Sequence, residues 1–237
     1  MPASRRFLTV LALAGLLPAG CGLVPVVAPR PALPKLEIQY VASSGEGRMN
    51  QLLGITNLGP RSYVPVLKLS AVDELGIKLP DVTVSTIYGS DRGGLVAPTH
   101  TVVFDVLRFT GAHADQVADV RATVLRASRV TYPEMKTELV VTPFDAAGDE
   151  VTRNDLFTRV RIGNDNDQPL TVRLVYIVWN DPPEGRTQQA DHTEPIGDLV
   201  TVPAYGETDV SLAPDDAAVI RKFSGTAPTS IKVYPSL

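Results

Sequence analysis

Few residues in this chain of 237 have side chains suited to chemistry. There is one cysteine, Cys21, and there are three histidines, His100, His113 and His192. A single cysteine excludes an intramolecular disulfide and a multi-cysteine metal site. No histidine has a second histidine two or four residues away, the spacing that places two zinc ligands on one face of a strand or helix. We therefore expect neither a metal site nor a cofactor.

Motifs for nucleophilic catalysis are also missing. The chain contains no Gly-x-Ser-x-Gly sequence, and Ser43, Ser44 and Ser90 lie in segments typical of turns. Carboxylates are numerous, but a sequence does not show which pair lies at catalytic distance. We predict that the protein has no catalytic residues and is not an enzyme.

The densest polar run is Asn164-Asp165-Asn166-Asp167. Its oxygens suit calcium, which takes about six to eight oxygen ligands. The run lacks the glycine and the distal glutamate of a dedicated calcium loop, and Asx side chains form turns by bonding their own backbone. A turn is the preferred interpretation, and calcium binding is the alternative.

The N-terminal segment gives the cysteine a context. Residues 1–20 contain Arg5 and Arg6, no acid, an apolar run over residues 7–17, and small residues before Cys21. This is the pattern of a secretory signal peptide, and the run is shorter than the about 20 residues of a membrane-spanning helix. Residues 4–8 also resemble a twin-arginine export signal, so the export route stays open. The mature chain is predicted to lie outside the cytoplasm.

The segment Leu17-Pro18-Ala19-Gly20-Cys21 resembles the lipobox of bacterial lipoproteins. The small residues before the cysteine match that family, whereas Pro18 stands where the family usually has an aliphatic residue. The resemblance implies that Cys21 is acylated and becomes the first residue of the mature protein. It also implies an anchor in the cell membrane or outer membrane, facing the periplasm or the cell exterior. In the alternative interpretation, Cys21 is only a small apolar residue of an ordinary secretory signal.

Residues 21–34 contain four prolines. Proline at this density does not form helix and favours an extended polyproline II conformation. We expect a tether that separates the anchor from the folded part.

From residue 35 onward the sequence pattern is all-β. Short runs of alternating or β-branched residues are separated by Gly, Pro, Asn and Asp about every ten residues, which is typical of a sandwich or barrel. A short helix is predicted over residues 214–223, with Asp215 and Asp216 as its cap. Predicted strands cover residues 36–41, 51–57, 64–72, 82–87, 100–107 and 117–125, and then 137–144, 157–162, 170–180, 198–202, 208–212 and 230–234.

The two halves of this β region resemble each other at a shift of about a hundred residues, the size of one immunoglobulin-like sandwich. Ile55-Thr56-Asn57 aligns with Ile162-Gly163-Asn164, and Ala97-Pro98 aligns with Val202-Pro203. We predict two immunoglobulin-like antiparallel β-sandwiches in tandem, over residues 35–130 and 136–237. One large barrel is the alternative.

In each half the strand that ends in asparagine leads through a turn with proline, Asn57 to Pro60 and Asn164 to Pro169, into an alternating strand. This arrangement resembles bacterial immunoglobulin-like lipoprotein domains of the FxLYD type. The resemblance implies the architecture and no activity, because the fold serves many functions.

One apolar row in the second half is a candidate contact surface. In the strand over residues 170–180, alternate residues from 174 to 178 are predicted to face the sandwich core. Val175, Ile177 and Trp179 then lie on the opposite face. An outward apolar row that ends in the only tryptophan predicts a contact with the other half or with a partner. The alternatives are a reversed parity, or loops that cover both faces.

Charge limits the classes of partner. The full chain has a net charge of -4, and loss of residues 1–20 removes Arg5 and Arg6 but no acid, which leaves -6. This disfavours nucleic acid and a basic patch on anionic lipid. We predict a lipid-anchored, non-enzymatic envelope protein, held at the membrane by its lipidated N terminus, with a protein or polysaccharide partner. The alternatives are a module acting on cell-wall or extracellular polysaccharide, and a small-ligand carrier with a cavity between its sheets.

Overall fold

Twelve β-strands, one α-helix and one short 3-10 turn form the part of the chain that the computed structural model describes, residues 36–41, 51–181 and 188–237. The predicted all-β sandwich class is confirmed, with four open antiparallel sheets in the described ranges. The predicted signal peptide (1–20), Cys21, the tether (21–34) and the turn at Ser43 and Ser44 lie outside these residues.

The first half contains six strands in two sheets. In one sheet the order is β1-β2-β5-β4, and in the other β3 pairs with β6. Their bounds are β1 Leu36–Val41, β2 Leu52–Asn57, β3 Ser62–Val72, β4 Thr83–Thr86, β5 Thr101–Thr110 and β6 Asp119–Val130. The 3-10 turn, Ala114–Gln116, precedes β6.

The second half contains six strands and the helix. Its sheets have the orders β11-β8-β7 and β10-β9-β12. Their bounds are β7 Val140–Phe144, β8 Arg159–Asn164, β9 Leu170–Trp179, β10 Ala190–Val202, β11 Gly206–Ser211, α1 Pro214–Phe223 and β12 Thr229–Pro235.

Strand pairing repeats between the halves. β2 lies between β1 and β5, as β8 lies between β7 and β11. β3 pairs with β6, as β9 pairs with β12. On the side of β3 away from β6, Tyr63 forms a bridge with Ala97. The corresponding pair on β9 in the second half is Leu170 with Val202. The segments that align in sequence therefore take equivalent places in two sandwiches.

Among the local predictions, those for β10 and for the helix cap differ from the structure. β10 begins at Ala190, eight residues before the predicted strand of 198–202, and its register shifts twice along β9. Its first part carries Pro195, Gly197 and several polar residues, so as a bulged edge strand it shows no period-two apolar pattern. The helix has the predicted bounds, but its N-cap is Ala213 and no side chain caps it. Asp215 and Asp216 lie in the first turn instead, where their negative charges interact favourably with the positive end of the helix dipole and stabilise the helix.

No helix in residues 36–41, 51–181 and 188–237 has both the length and the apolar character needed to cross a membrane.

Candidate functional site

Strand β9 is buried on both faces and joins the two halves. One face, which includes Leu174 and Tyr176, packs in the core of the second sandwich. The other face consists of Val175, Ile177 and Trp179, which are 5%, 0% and 3% exposed and pack with core residues of the first half. The apolar row assigned to a contact thus lies against the chain's own first sandwich.

Hydrogen bonds fix the junction at the C-terminal end of β12. Val96 N donates to Pro235 O at 3.0 Å, and Ser236 Oγ donates to Gly94 O at 2.8 Å. The ring of Tyr234 stacks on that of Tyr88 with centroids 4.5 Å apart. The described residues of both halves accordingly belong to one compact unit.

A cleft of about 770 Å³ opens beside this junction, between the outer face of β5, the edge strand β7 and the edge strand β12. This volume lies within the about 300–1,000 Å³ of small-molecule sites. Apolar and polar groups line it in nearly equal measure, and its apolar side chains include Val102, Phe104, Leu139, Val141, Ile231 and Val233.

Two outward-facing side chains of β5 form one wall of the cleft. Val102 and Phe104 are 50% and 43% exposed, while Val103 and Asp105 between and beside them point into the core. Phe104 lies opposite Gly54 on β2, and a Cβ at position 54 would lie 3.4 Å from Cε1 of Phe104. The glycine therefore lets the ring rest on the sheet, which keeps this wall of the cleft flat.

Two cations and one acid also line the cleft: Arg153, Lys232 and Glu138. Among the described residues, neither Arg153 nor Lys232 has a carboxylate within 4.0 Å. Burial lowers the pKa of the half-buried Lys232 ammonium, the charge of Arg153 lowers it further, and Glu138 acts in the opposite direction. The cleft thus holds positive charge that no described ion pair neutralises.

Backbone groups of β12 also face the cleft. Trp179 N bonds to Pro228 O at 2.8 Å and Ser236 N bonds to Thr171 O at 3.2 Å, so the even-numbered residues of this strand exchange bonds with β9. The N–H and C=O groups of Ile231 and Val233 point the other way, toward the cleft. At the C-terminal end of the strand, the outward carbonyl of Pro235 accepts a hydrogen bond from Val96 N.

None of the three histidines lines the cleft, and each has different neighbours. His113 Nδ1 lies 2.5 Å from Asp81 Oδ2, and His192 Nε2 lies 3.4 Å from Glu194 Oε2. His100 takes a positive φ of 53° in the turn before β5. In the described ranges no three His, Cys, Asp or Glu side chains gather to hold a metal ion.

The polar run at residues 164–167 forms a turn. Asn164 Oδ1 accepts from Asn166 N at 3.0 Å, and Asn166 Oδ1 accepts from the backbone N–H groups of Lys136 and Thr137 at 2.7 and 3.0 Å. Asp167 Oδ2 pairs with Lys136 Nζ at 2.7 Å. The amide oxygens proposed as calcium ligands are therefore used to fix the segment that enters the second half.

The sequence reasoning did not identify the cleft. One local signal was present, since Val102 and Phe104 form an apolar pair on the face of β5 opposite Val103 and Asp105. Arg153 and Lys232 gave no signal, because they are 79 residues apart and neither belongs to a motif.

Comparison with protein-family models, with curated proteins and with solved structures finds no match to this chain.

Proposed function

We propose that this chain is a lipid-anchored envelope protein outside the cytoplasm, whose folded part has a non-enzymatic binding role. The observation that carries the binding role is the cleft between β5, β7 and β12, which has apolar side chains and two cations that form no ion pair with another described residue. The anchor is supported by the signal-like residues 1–20 and by the lipobox-like segment that ends in Cys21.

The walls of the cleft favour binding because they lie on paired strands. Residues 101–106 of β5, which include Val102 and Phe104, pair with β2, and β12 pairs with β9 along its whole length. A ligand entering such a site orders few side chains, so little of its binding free energy is lost to conformational entropy.

The anchor and the tether complete the proposal. One acyl chain gives only marginal membrane affinity, whereas two or more hold a protein stably. A multiply acylated Cys21 would keep the protein at the membrane. Residues 21–34, extended at about 3.1 Å per residue, would hold the cleft clear of the lipid surface.

The test of the anchor is an intact mass of the protein purified from a bacterial membrane fraction. We expect the mass of a chain that begins at an acylated Cys21, and we expect Cys21→Ser to lose both the added mass and the membrane association. Pro18→Leu is the matched control, because it restores an aliphatic residue to the lipobox and should be processed at least as completely. An unmodified mature chain that begins at another residue would overturn the proposal.

A further inference from the structure

We propose that the cleft binds a single-chain anionic amphiphile, with its alkyl chain against Val102, Phe104 and Val233 and its carboxylate or phosphate beside Arg153 and Lys232. The inference names the ligand class of the binding role proposed above and rests on it, but it does not depend on the lipid anchor.

The apolar part of the cleft accounts for the chain. Val102 and Phe104 are half exposed, while Val103 and Asp105 on the other face of β5 are buried. Across the cleft Leu139, Val141 and Val233 present further aliphatic surface. Covering these opposed walls removes apolar surface from water on both sides of an inserted chain, which is the main source of affinity for such a ligand.

The charged part of the cleft accounts for the anionic group. Arg153 and Lys232 raise each other's electrostatic energy, and one acid in the lining, Glu138, offsets only part of their charge. An anion placed between the two cations relieves this repulsion in a partly desolvated site, where charge-assisted hydrogen bonds are strongest. The whole chain carries a net charge of -4, so the positive character is local to the cleft.

The edge of β12 favours a small amphiphile over an added peptide strand. Thr229 Oγ1 lies 2.7 Å from both Arg153 O and Asn154 Oδ1, which share its single proton, so the loop before β8 covers one end of the strand. Val96 bonds to Pro235 at the other end. Between these two ends lie the outward backbone groups of Ile231 and Val233, a stretch too short for the ladder that strand addition uses. A head group beside Lys232 can accept a hydrogen bond from one of these two N–H groups, which lie about 6.8 Å apart along the strand.

The experiment measures ligand binding by titration calorimetry. It uses the full chain with Cys21→Ser, which keeps every other residue and avoids detergent. The probes are dodecanoate and dodecyl phosphate below their micelle concentrations, dodecyltrimethylammonium as a cation with the same chain, and acetate as a head group without a chain. We expect saturable binding of one molecule of dodecanoate or dodecyl phosphate, and weaker binding of the cationic amphiphile and of acetate by about tenfold or more.

Variants locate the binding in the cleft. The double variant Arg153→Gln with Lys232→Gln should have about tenfold lower affinity for dodecanoate. The double control Lys68→Gln with Arg129→Gln replaces two exposed residues of β3 and β6 and should change this affinity little. Phe104→Ser should weaken binding, whereas Leu125→Ser, which removes a 58% exposed side chain outside the cleft, should not.

Three outcomes would overturn the inference. They are no saturable binding of either anionic probe, equal binding of the cationic amphiphile, and binding that the cleft variants leave unchanged while circular dichroism shows that they are folded. In each of these cases an acylated Cys21 would still support the anchor, so the two proposals fail separately.

Discussion

Asn57 and Asn164 make the same set of hydrogen bonds, one in each sandwich. Nδ2 of Asn57 donates to the two carbonyls of the Ala97-Pro98 pair, at 3.0 Å each. Nδ2 of Asn164 donates to the two carbonyls of the Val202-Pro203 pair, at 3.3 and 3.0 Å. Each Oδ1 accepts a backbone N–H two residues further on, also at 3.0 Å. In both halves a buried amide thus ties the end of one strand to a segment about forty residues later.

We expect Asn57→Asp and Asn164→Asp to destabilise the protein by a similar amount, about 2–4 kcal/mol each. Both side chains are 1% exposed, and a carboxylate would replace a donor with a charge that faces two carbonyl oxygens. Urea unfolding monitored by circular dichroism measures the loss.

The exposed Asn154 provides the control for these variants. Its Oδ1 accepts from Thr229 Oγ1, a bond that Asn154→Asp keeps, so that variant should stay within about 0.5 kcal/mol of the wild type. A loss confined to one of the two buried positions would contradict the equivalence of the halves.

Asp105 is a buried carboxylate that fixes the turn after β4. It is 0% exposed and accepts the backbone N–H groups of Tyr88, Ser90 and Val106 at 2.7, 2.9 and 2.8 Å. In Asp105→Asn one of the two oxygens becomes an N–H₂ donor that faces a backbone N–H. We expect a loss of about 1–3 kcal/mol in unfolding free energy.

The pH dependence of stability tests the same residue. Burial raises the pKa of Asp105 in the folded protein, against the lowering effect of its hydrogen bonds. The folded state therefore binds more protons than the unfolded state between the ordinary and the raised pKa, so this group's contribution falls as pH rises through that window. Asp105→Asn should remove this part of the pH dependence. An unchanged profile in thermal melts above pH 4 would contradict the assignment.

Trp179 lies in the junction between the sandwiches. Because it is 3% exposed and its Nε1 bonds to Ser230 Oγ, Trp179→Ala should cost about 3–5 kcal/mol. Trp179→Phe keeps most of the volume and should cost less. Tyr205→Ala, at a 74% exposed position, is the control and should stay within about 0.5 kcal/mol. A small effect of Trp179→Ala in chemical denaturation would show that the junction contributes little to stability.

Lys232 should lower stability where it is charged. Its pKa is lowered in the folded protein, chiefly by burial, so the unfolded state binds more protons between the lowered and the ordinary pKa, and stability rises with pH across that alkaline window. We expect Lys232→Gln to raise the melting temperature at pH 7, and the difference to shrink above the lowered pKa. A lower melting temperature at pH 7 would mean that the lysine stabilises the folded state, against this expectation.

Local pattern was sufficient to predict much of the fold. The strands β2 and β8 were predicted to within two residues at each end, because alternation and turn residues are properties of neighbouring positions. The helix over Pro214–Phe223 was located for the same reason. β10 was found only in part, because its first residues form an edge with bulges and carry no apolar alternation.

The sequence by itself determined the β class, the repeated asparagine turns and the two faces of β9, since each depends on residues close together in the chain. Only the tertiary structure decided what covers Val175, Ile177 and Trp179. The alternation of side chains assigns residues to the two faces of a strand, but it does not determine what packs against each face. The tertiary structure also brought Phe104 and Lys232 to one cleft. They are 128 residues apart, and their meeting depends on how two sandwiches pack against each other, which no local pattern encodes.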